Sequence, residues 1–429
     1  MPMDDEEGFP APAKLLFIHS GSPKKRLTFD AAAALGLDIY LFNPEPNWAA
    51  PLTRQTLTTA GLSLPRILDL AGELHAQVGL DGVVTFWEED VPTCALVAQR
   101  LGLRGNSPAS ALRSRSKFRM RQAFLKAGIP VPPFARVSSP ATLLKACEEV
   151  ELPAVLKPEW GSDSEWVTRV DSTQEALKVF REVRRRARMQ DCIYSYPTGN
   201  FVLEGYLTGP EVSIEGVVQH GRVTIYAIID KAKMLEPSFI ERGECTPSRL
   251  PLAIQHDIRQ LVSRGVRALG LDNSGIHAEI KITPEGPRIV EIGARMGGDC
   301  IHALVKRVYG VDLAEENIRV TLGLPARPEM PAHGCAISRT LVPDRPGRVV
   351  LQPTSALRRS RNLIEVVLTK HPGDQVQVPP AGYDNLAWVS VWGRNYREAE
   401  RRLETRSSRL ENAFQIHPAE QLPELAHGG

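Results

Sequence analysis

The segment VEIGARMGGD (290–299) and the alternating run IHAEIKIT (276–283) just before it decide how this chain is read. Between them Pro284, Glu285 and Gly286 suit a three-residue hairpin loop, with glycine where a positive φ is needed. That register sets Glu279 opposite Glu291. Directly opposed side chains have Cβ atoms about 4.5–5.5 Å apart, and two carboxylates placed so repel unless a cation lies between them. A magnesium ion would remove the conflict. Period-two alternation puts His277, Glu279 and Lys281 on one face of the first strand and Ile276, Ala278, Ile280 and Ile282 on the other. Downstream, Arg295 is a fixed cation, while Gly297 and Gly298 let backbone amides approach an anionic ligand without obstruction by Cβ. A surface hairpin with incidental acids has the same spacing, so the rest of the chain must decide.

A chain of 429 residues, 42% of them hydrophobic, has material for two to four folded domains. Lys plus Arg number 52 against 50 Asp plus Glu, a balance that argues against nucleic acid or an anionic membrane as the main partner. The basic run REVRRRAR (181–188) reads as a solvated helix face, because helical spacing scatters its arginines. The six cysteines, at 94, 147, 192, 245, 300 and 335, are spread singly with no CxxC spacing. They suggest neither a disulfide framework nor a zinc site, and a reducing cytoplasm fits them. The acidic, proline-containing leader lacks the marks of a signal peptide, and no apolar run approaches the roughly 20 residues that span a bilayer. A soluble protein is expected.

The order of patterns divides the chain. Residues 1–12 and 419–429 read as flexible tails. From 13 to 110, the runs LLFIH, DIYLFN and VVTFWEED alternate with helical stretches, including 91–101, which predicts a Rossmann-like α/β domain with parallel strands. A further helix is expected at 114–127, stopped by Gly128 and Pro130. Residues 111–325 read as α+β and rich in hairpins, with strands at 154–157, 201–207, 212–219 and 223–229 and a long basic helix at 173–190. Residues 326–418 read as a small α+β domain containing HPGDQV (371–376) and an amphipathic helix at 396–412.

The order of SKFRMRQAFLKAGIPVPPF (116–134), VLKPEWGSDSEWV (155–167), FVLEGYLTGPEVSIEGVV (201–218), the hairpin and the HPGDQV tail resembles the ATP-grasp superfamily of carboxylate-amine ligases. Within it, the resemblance is to the bacterial L-amino acid (dipeptide) ligase branch, and it spans nearly the whole chain. It implies an ATP-grasp fold of two α+β lobes holding ATP, after an N-terminal pre-ATP-grasp domain and before a small C-terminal α+β domain. It implies Lys117 and Lys157 on the α- and β-phosphates and Ser164 in the phosphate-covering loop. Glu204 and Leu207 would lie at the adenine hinge, Glu211 on the ribose hydroxyls and Lys231 near the phosphates. Glu279 and Glu291 would hold Mg²⁺ or Mn²⁺, and Arg295 would stabilise the transferred phosphoryl group, alone or while paired with Glu291. Glu88, or Glu89 under a one-residue shift, would meet the amino end of the first substrate together with Glu241, with Arg295 and Gly298 completing that site. Taken by itself, Lys117 also reads as one more cation on an arginine-rich helix.

The chain departs from the superfamily pattern at one place that some members of the branch share, Gly293, and from the branch itself at two. Gly293 stands where the superfamily commonly has asparagine as a further metal ligand. The phosphate-covering loop has Asp163 and Trp166 where glycines are usual, which costs backbone freedom and sets an acid near a polyanion. Glu244 stands where dipeptide ligases have a histidine beside the substrate, and a carboxylate is no cationic donor at neutral pH. Trp160 and Trp166 read as aromatic packing over a loop or as part of a substrate lid. The expected function is ATP-dependent amide formation through an acyl phosphate, with small carboxylate and amine substrates, an amino acid among them, and room for a homodimer. The alternatives are a biotin carboxylase-like reaction on another substrate pair and a non-catalytic ATP-binding protein.

Overall fold

The computed structural model describes residues 12–162, 164–186, 192–194, 199–351, 362–379 and 381–418. The two expected tails, Asp163 and the far end of the 173–190 helix lie outside these, apart from Pro12.

Consecutive parallel strands need a crossover, and the alternating N-terminal runs supply it. The sheet order is Gln55–Thr58, Asp38–Asn43, Lys14–Ile18 and Gly82–Val84, all parallel. Helices Arg26–Ala34, Leu64–Val78 and Val91–Leu101 accompany these strands. The run expected as a strand from Val83 ends at Val84, and Glu88–Asp90 forms a turn of 3₁₀ helix with all three acids buried.

The helix expected at 114–127 is two helices, Pro108–Arg115 and Lys117–Lys126. Ser116 interrupts them in an extended conformation and caps the second, its hydroxyl accepting from the Arg119 amide at 3.1 Å. Serine competes with the helix for backbone partners, which is why the break falls there. Arg115 and Lys117 on either side of it are both buried.

A small lobe follows, an antiparallel sheet in the order Phe134–Val137, Phe201–Gly205, Ala154–Pro158, Thr168–Val170. Helices Pro140–Val150 and Thr173–Arg186 cover it around Leu143, Leu156, Phe180 and Phe201. The large sheet has eight antiparallel strands. In spatial order they are Gly286–Gly293, Ser274–Thr283, Glu211–Gln219, Arg222–Lys231, Glu244–Thr246, Cys335–Leu341, Ala387–Gly393 and Leu363–Leu368. The C-terminal region therefore shares a sheet with the middle of the chain through the pairing of Glu244–Thr246 with Cys335–Leu341. The C-terminal region also has a three-stranded antiparallel sheet of its own, in the order Gln375–Val376, Gly347–Leu351, Phe414–His417. Helix Tyr396–Glu411 packs on this extension through Ala399, Leu403 and Leu410. Among the described residues no helix is long and apolar enough to cross a membrane.

The hairpin that opened the sequence reading forms with Glu279 opposite Glu291, by a different route. Thr283 pairs with Gly286, so the loop is only Pro284 and Glu285, one residue shorter than expected. A bulge at Val290, between the Glu279/Glu291 and Ile280/Ile289 pairs, restores the register. An extra residue on one strand shifts every later side chain by one place, and here it returns both glutamates to one face.

Candidate active site

The polar face of the large sheet is built in rows. Glu244, Lys231, Glu211 and Lys281 stand side by side across four strands, acid alternating with base. The next row holds Ser213, Glu279 and Glu291, and the one beyond it Glu215, His277 and Gly293. Period two sends the intervening Ile276, Ala278 and Ile280 into the core, where each is fully buried. Gly209 fixes the start of the Glu211 strand: its φ is +114°, and an added Cβ would lie 2.0 Å from the Ile282 carbonyl oxygen.

These rows floor a cleft of about 330 Å³. The small lobe walls it with Lys157, Glu204 and Leu207, the phosphate-covering loop with Ser162 and Ser164, and the C-terminal region with Thr340, Tyr383 and Asn385. Every expected site residue lines this one cleft: Glu88, Lys117, Lys157, Ser164, Glu204, Leu207, Glu211, Lys231, Glu241, Glu244, Glu279, Glu291, Arg295 and Gly298.

Their ion pairs differ from expectation in several places. The Glu204 carboxylate is held by Lys157 and Arg121, each at 2.9 Å, so its charge is neutralised within the protein and it orients Lys157. Burial pushes its carboxyl up, but the Arg121 and Lys157 charges outweigh this and hold it at about 2. Burial also lowers the Lys157 ammonium against the pull of Glu204. Arg295 pairs with Glu88 at 2.5 Å, and Glu291 takes Lys117 at 3.0 Å instead. Glu88 is shared with Arg115 at 3.0 Å. Burial raises its carboxyl, but Arg295 and Arg115 win and bring it to about 2. Its charge is thus already matched by two guanidiniums. Glu89 lies against Arg115 at 3.5 Å and accepts from the Ser162 hydroxyl.

Lys231 gathers Glu241 at 2.6 Å, Glu279 at 2.5 Å and Glu211 at 3.1 Å. Burial depresses its ammonium, but the three carboxylates raise it well above its ordinary range. Glu244 is different. It is buried, no basic group pairs with it among the described residues, and its Oε2 lies 3.1 Å from the Cys300 thiol. Burial first, then the charge of Glu241, push its carboxyl up to about 8, so it is neutral at pH 7 and carries a proton to donate. The objection that a carboxylate cannot donate at this place is therefore removed by the fold.

Five residues in or behind the cleft were given no role from sequence: Arg115, Arg121, His277, Glu215 and Lys281. Arg115 and Arg121 read only as cations of an arginine-rich helix, and both are buried. The signal was there for Arg121, which shares a helical face with Lys117, Met120 and Phe124. His277 bonds Glu215 through Nδ1 and stands 3.6 Å from Glu279 through Nε2. Burial lowers its pKa, but Glu215 and Glu279 raise it to about 10, so it is a cation in the middle of the face. Glu215 also accepts from the Gly297 amide at 2.8 Å, which pins the glycine pair against the sheet. Lys281 meets Glu211 at 3.2 Å.

Two opposed carboxylates offer hard oxygen donors, and Mg²⁺ binds one or two carboxylates with phosphate oxygens and water making up the rest. Among the described residues no three His, Cys, Asp or Glu side chains form a cage of their own. The donor set fits a metal brought with a polyphosphate. Gly293 explains the absent asparagine: an added Cβ would sit 3.3 Å from Glu88 Oε2, in space that the Glu88 carboxylate uses.

Lys157 of the small antiparallel lobe and the Glu279/Glu291 pair of the larger sheet line one cleft, with Lys117 and Lys231 bonded to the two glutamates. Residues 150–303 match the ATP-grasp domain family and residues 29–105 the ATP-grasp N-terminal domain. Residues 339–413 match L-amino acid ligase C-terminal domain 2, and the chain belongs to the ATP-grasp superfamily with that C-terminal extension. It is 28% identical over 336 residues to carnosine synthase 1 of Homo sapiens, an alignment that covers 74% of this chain and 41% of the relative. To the alanine–anticapsin ligase of Bacillus subtilis strain 168 it is 30% identical over 254 residues, 55% of this chain and 53% of the relative. The chain thus spans about half or less of the length of these curated relatives. The crystal structure of an L-amino acid ligase from Bacillus licheniformis superposes with a TM-score of 0.79 at 21% identity, covering 96% of this chain and 99% of that one. The fold is thus shared end to end.

Proposed function

We propose that this chain is an ATP-dependent ligase that joins a carboxylate to an amine, at least one of them an amino acid, through an acyl phosphate with release of ADP and phosphate. The observation that carries the reading is the Glu279/Glu291 pair facing Lys117 and Lys231: two carboxylates now held by ammoniums, in the arrangement a metal–triphosphate would take over. The similarity to a carnosine synthase and to an alanine–anticapsin ligase supports it.

Lys117 and Lys157 bind the phosphates, Glu211 the ribose, and the 204–207 backbone the adenine edge. Mg²⁺, held by Glu279 and Glu291, neutralises phosphate charge when bound. A substrate carboxylate oxygen forms a bond to the γ-phosphorus while the bond to the bridging oxygen breaks and ADP leaves. Arg295, held in place by Glu88, meets the charge on the transferred group, since phosphoryl transfer depends mainly on positioning and electrostatic stabilisation. The amine nitrogen then attacks the acyl carbon, the carbon–oxygen bond to phosphate breaks, and the amine's proton leaves with the phosphate or to solvent. Glu241, which shares Lys231 with two other carboxylates, receives the substrate ammonium, and protonated Glu244 donates a hydrogen bond to oxygen at the reacting carbonyl.

We infer a cytoplasmic location, which the single spacing of the six cysteines supports. The test of function is ADP release with Mg²⁺ and ATP against pooled amino acids and small carboxylic acids, beside Glu291→Ala, with mass spectrometry of products. Substrate-dependent ADP with an amide product, lost in the variant, is expected. Nucleotide binding without turnover in any pool would overturn the ligase reading.

A further inference from the structure

The phosphate-covering loop carries the substitution that sequence reasoning counted against it. Two backbone hydrogen bonds shape it, Glu165 N–H to Ser162 C=O and Val167 N–H to Ser164 C=O, both at 3.1 Å. Ser164 and Trp166 hold φ values of +54° and +63°. A turn places glycine or asparagine at such a position, and a tryptophan there is strained unless its surroundings over-determine it.

The surroundings do. The Trp166 ring meets Tyr383 edge-on, centroids 5.3 Å apart at 71°, and also packs against the core of the small lobe. The Tyr383 phenol is flanked by the Trp166 backbone amide and the Thr168 side chain. Tyr383 belongs to the C-terminal region and is firmly seated there: Asp384 beside it pairs with Lys370 at 2.5 Å and accepts from the Gln377 amide, and Leu386 N–H donates to Leu341 C=O. The loop's near end is tied separately, Ser162 to Glu89 and the Gly161 carbonyl to Lys117. It is thus fastened to the N-terminal domain at one end and to the C-terminal region at the other, across the mouth of the cleft that Ser162, Ser164, Glu165 and Tyr383 line.

We propose that Trp166 and Tyr383 form a clamp that keeps this loop shut while the acyl phosphate exists, so that the pair governs how completely ATP consumption is coupled to amide formation. The proposal rests on the ligase reading for its chemistry. Trp166 and Tyr383 are positioning residues: they act by holding the loop that excludes water, and a leaking loop lets water take the place of the amine at the acyl carbon. An acyl phosphate lost to water yields ADP and phosphate with the carboxylate regenerated. The cost therefore appears as ADP without product.

The test compares Trp166→Gly, Tyr383→Ala and Tyr383→Phe with the unaltered protein. Glycine relieves the φ strain at 166 while removing the ring, so that variant keeps the backbone it needs to fold. With a substrate pair found by the assay above, the unaltered protein is expected near one ADP per amide, Trp166→Gly and Tyr383→Ala about threefold higher, and Tyr383→Phe, which keeps the ring contact but loses the phenol's, between the two, with KM for ATP changed less than about twofold. The double variant should leak less than the two single effects combined, because both remove the same ring contact. Unchanged ratios in both single variants, or a Tyr383→Phe that leaks as much as Tyr383→Ala, would overturn the clamp. A protein that makes no amide refutes the ligase reading, and the clamp is then judged by hydrogen exchange of residues 161–168 with Mg²⁺ and ATP bound. Faster exchange in both ring-removing variants upholds it, and exchange equal to the unaltered protein refutes it.

Discussion

Replacing Glu88 by glutamine removes one charge from a place where two guanidiniums converge. Glu88 is 6% exposed, 3.0 Å from Arg115 and 2.5 Å from Arg295, which are themselves 1% and 13% exposed in their side chains. Its carboxyl is carried from 4.5 to about 2, a displacement worth about 3 kcal/mol at 1.36 kcal/mol per unit. That agrees with the roughly 3–5 kcal/mol lost when one partner of a buried pair is deleted. A carboxyl held low contributes its stability fully above the unfolded value and loses it as pH falls through the folded one. The difference between Glu88→Gln and the unaltered protein should therefore be about 3 kcal/mol at pH 7 and less than half of that at pH 3. Urea unfolding followed by tryptophan fluorescence at the two pH values measures it. Arg295 also loses the carboxylate that aims it, so substrate-dependent ADP release should fall at least about tenfold, the equivalent of 1.4 kcal/mol in the barrier. A variant within about 0.5 kcal/mol of the unaltered protein at pH 7, or a deficit that does not shrink in acid, would refute the reasoning.

Glu244→Gln should stabilise. The native carboxyl keeps its proton to about pH 8 and the unfolded one only to 4.5, so the unaltered protein loses stability as pH rises through that window while glutamine does not titrate. Its advantage should grow by about 3 kcal/mol between pH 4.5 and pH 7 in the same unfolding assay. Gly297→Ala would place a Cβ 2.6 Å from Glu215 Oε1 and 2.7 Å from Ile301 Cδ1, so it should cost about 1–3 kcal/mol and displace the backbone beside Gly298. Loss of ADP release together with a lowered urea midpoint is the expected result.

The hairpin was legible because period two and one turn signal sufficed to face Glu279 with Glu291, even though loop length and bulge were both misjudged by one residue and cancelled. Lys157 and Glu211 were legible because each sits at a strand end beside a local breaker. Arg115 was not, since its partner Glu88 is 27 residues away and burial of an arginine leaves no local mark. His277 and Glu215 meet 62 residues apart across two strands for the same reason. The continuity of the large sheet into the C-terminal region depends on Glu244–Thr246, a strand of three residues, finding Cys335–Leu341, a pairing that no periodicity announces. Glu244 shows the limit most clearly: its residue type argued against a donor, and only its surroundings give it the proton.

The central claim is that a substrate carboxylate is phosphorylated before the amine attacks. It is tested most directly by supplying a carboxylate labelled with oxygen-18, identified by the ADP assay, and weighing the inorganic phosphate formed. The account predicts one labelled oxygen in each phosphate, appearing in step with the amide and absent in Glu291→Ala. Unlabelled phosphate accompanying amide formation, or AMP and pyrophosphate in place of ADP, would contradict it.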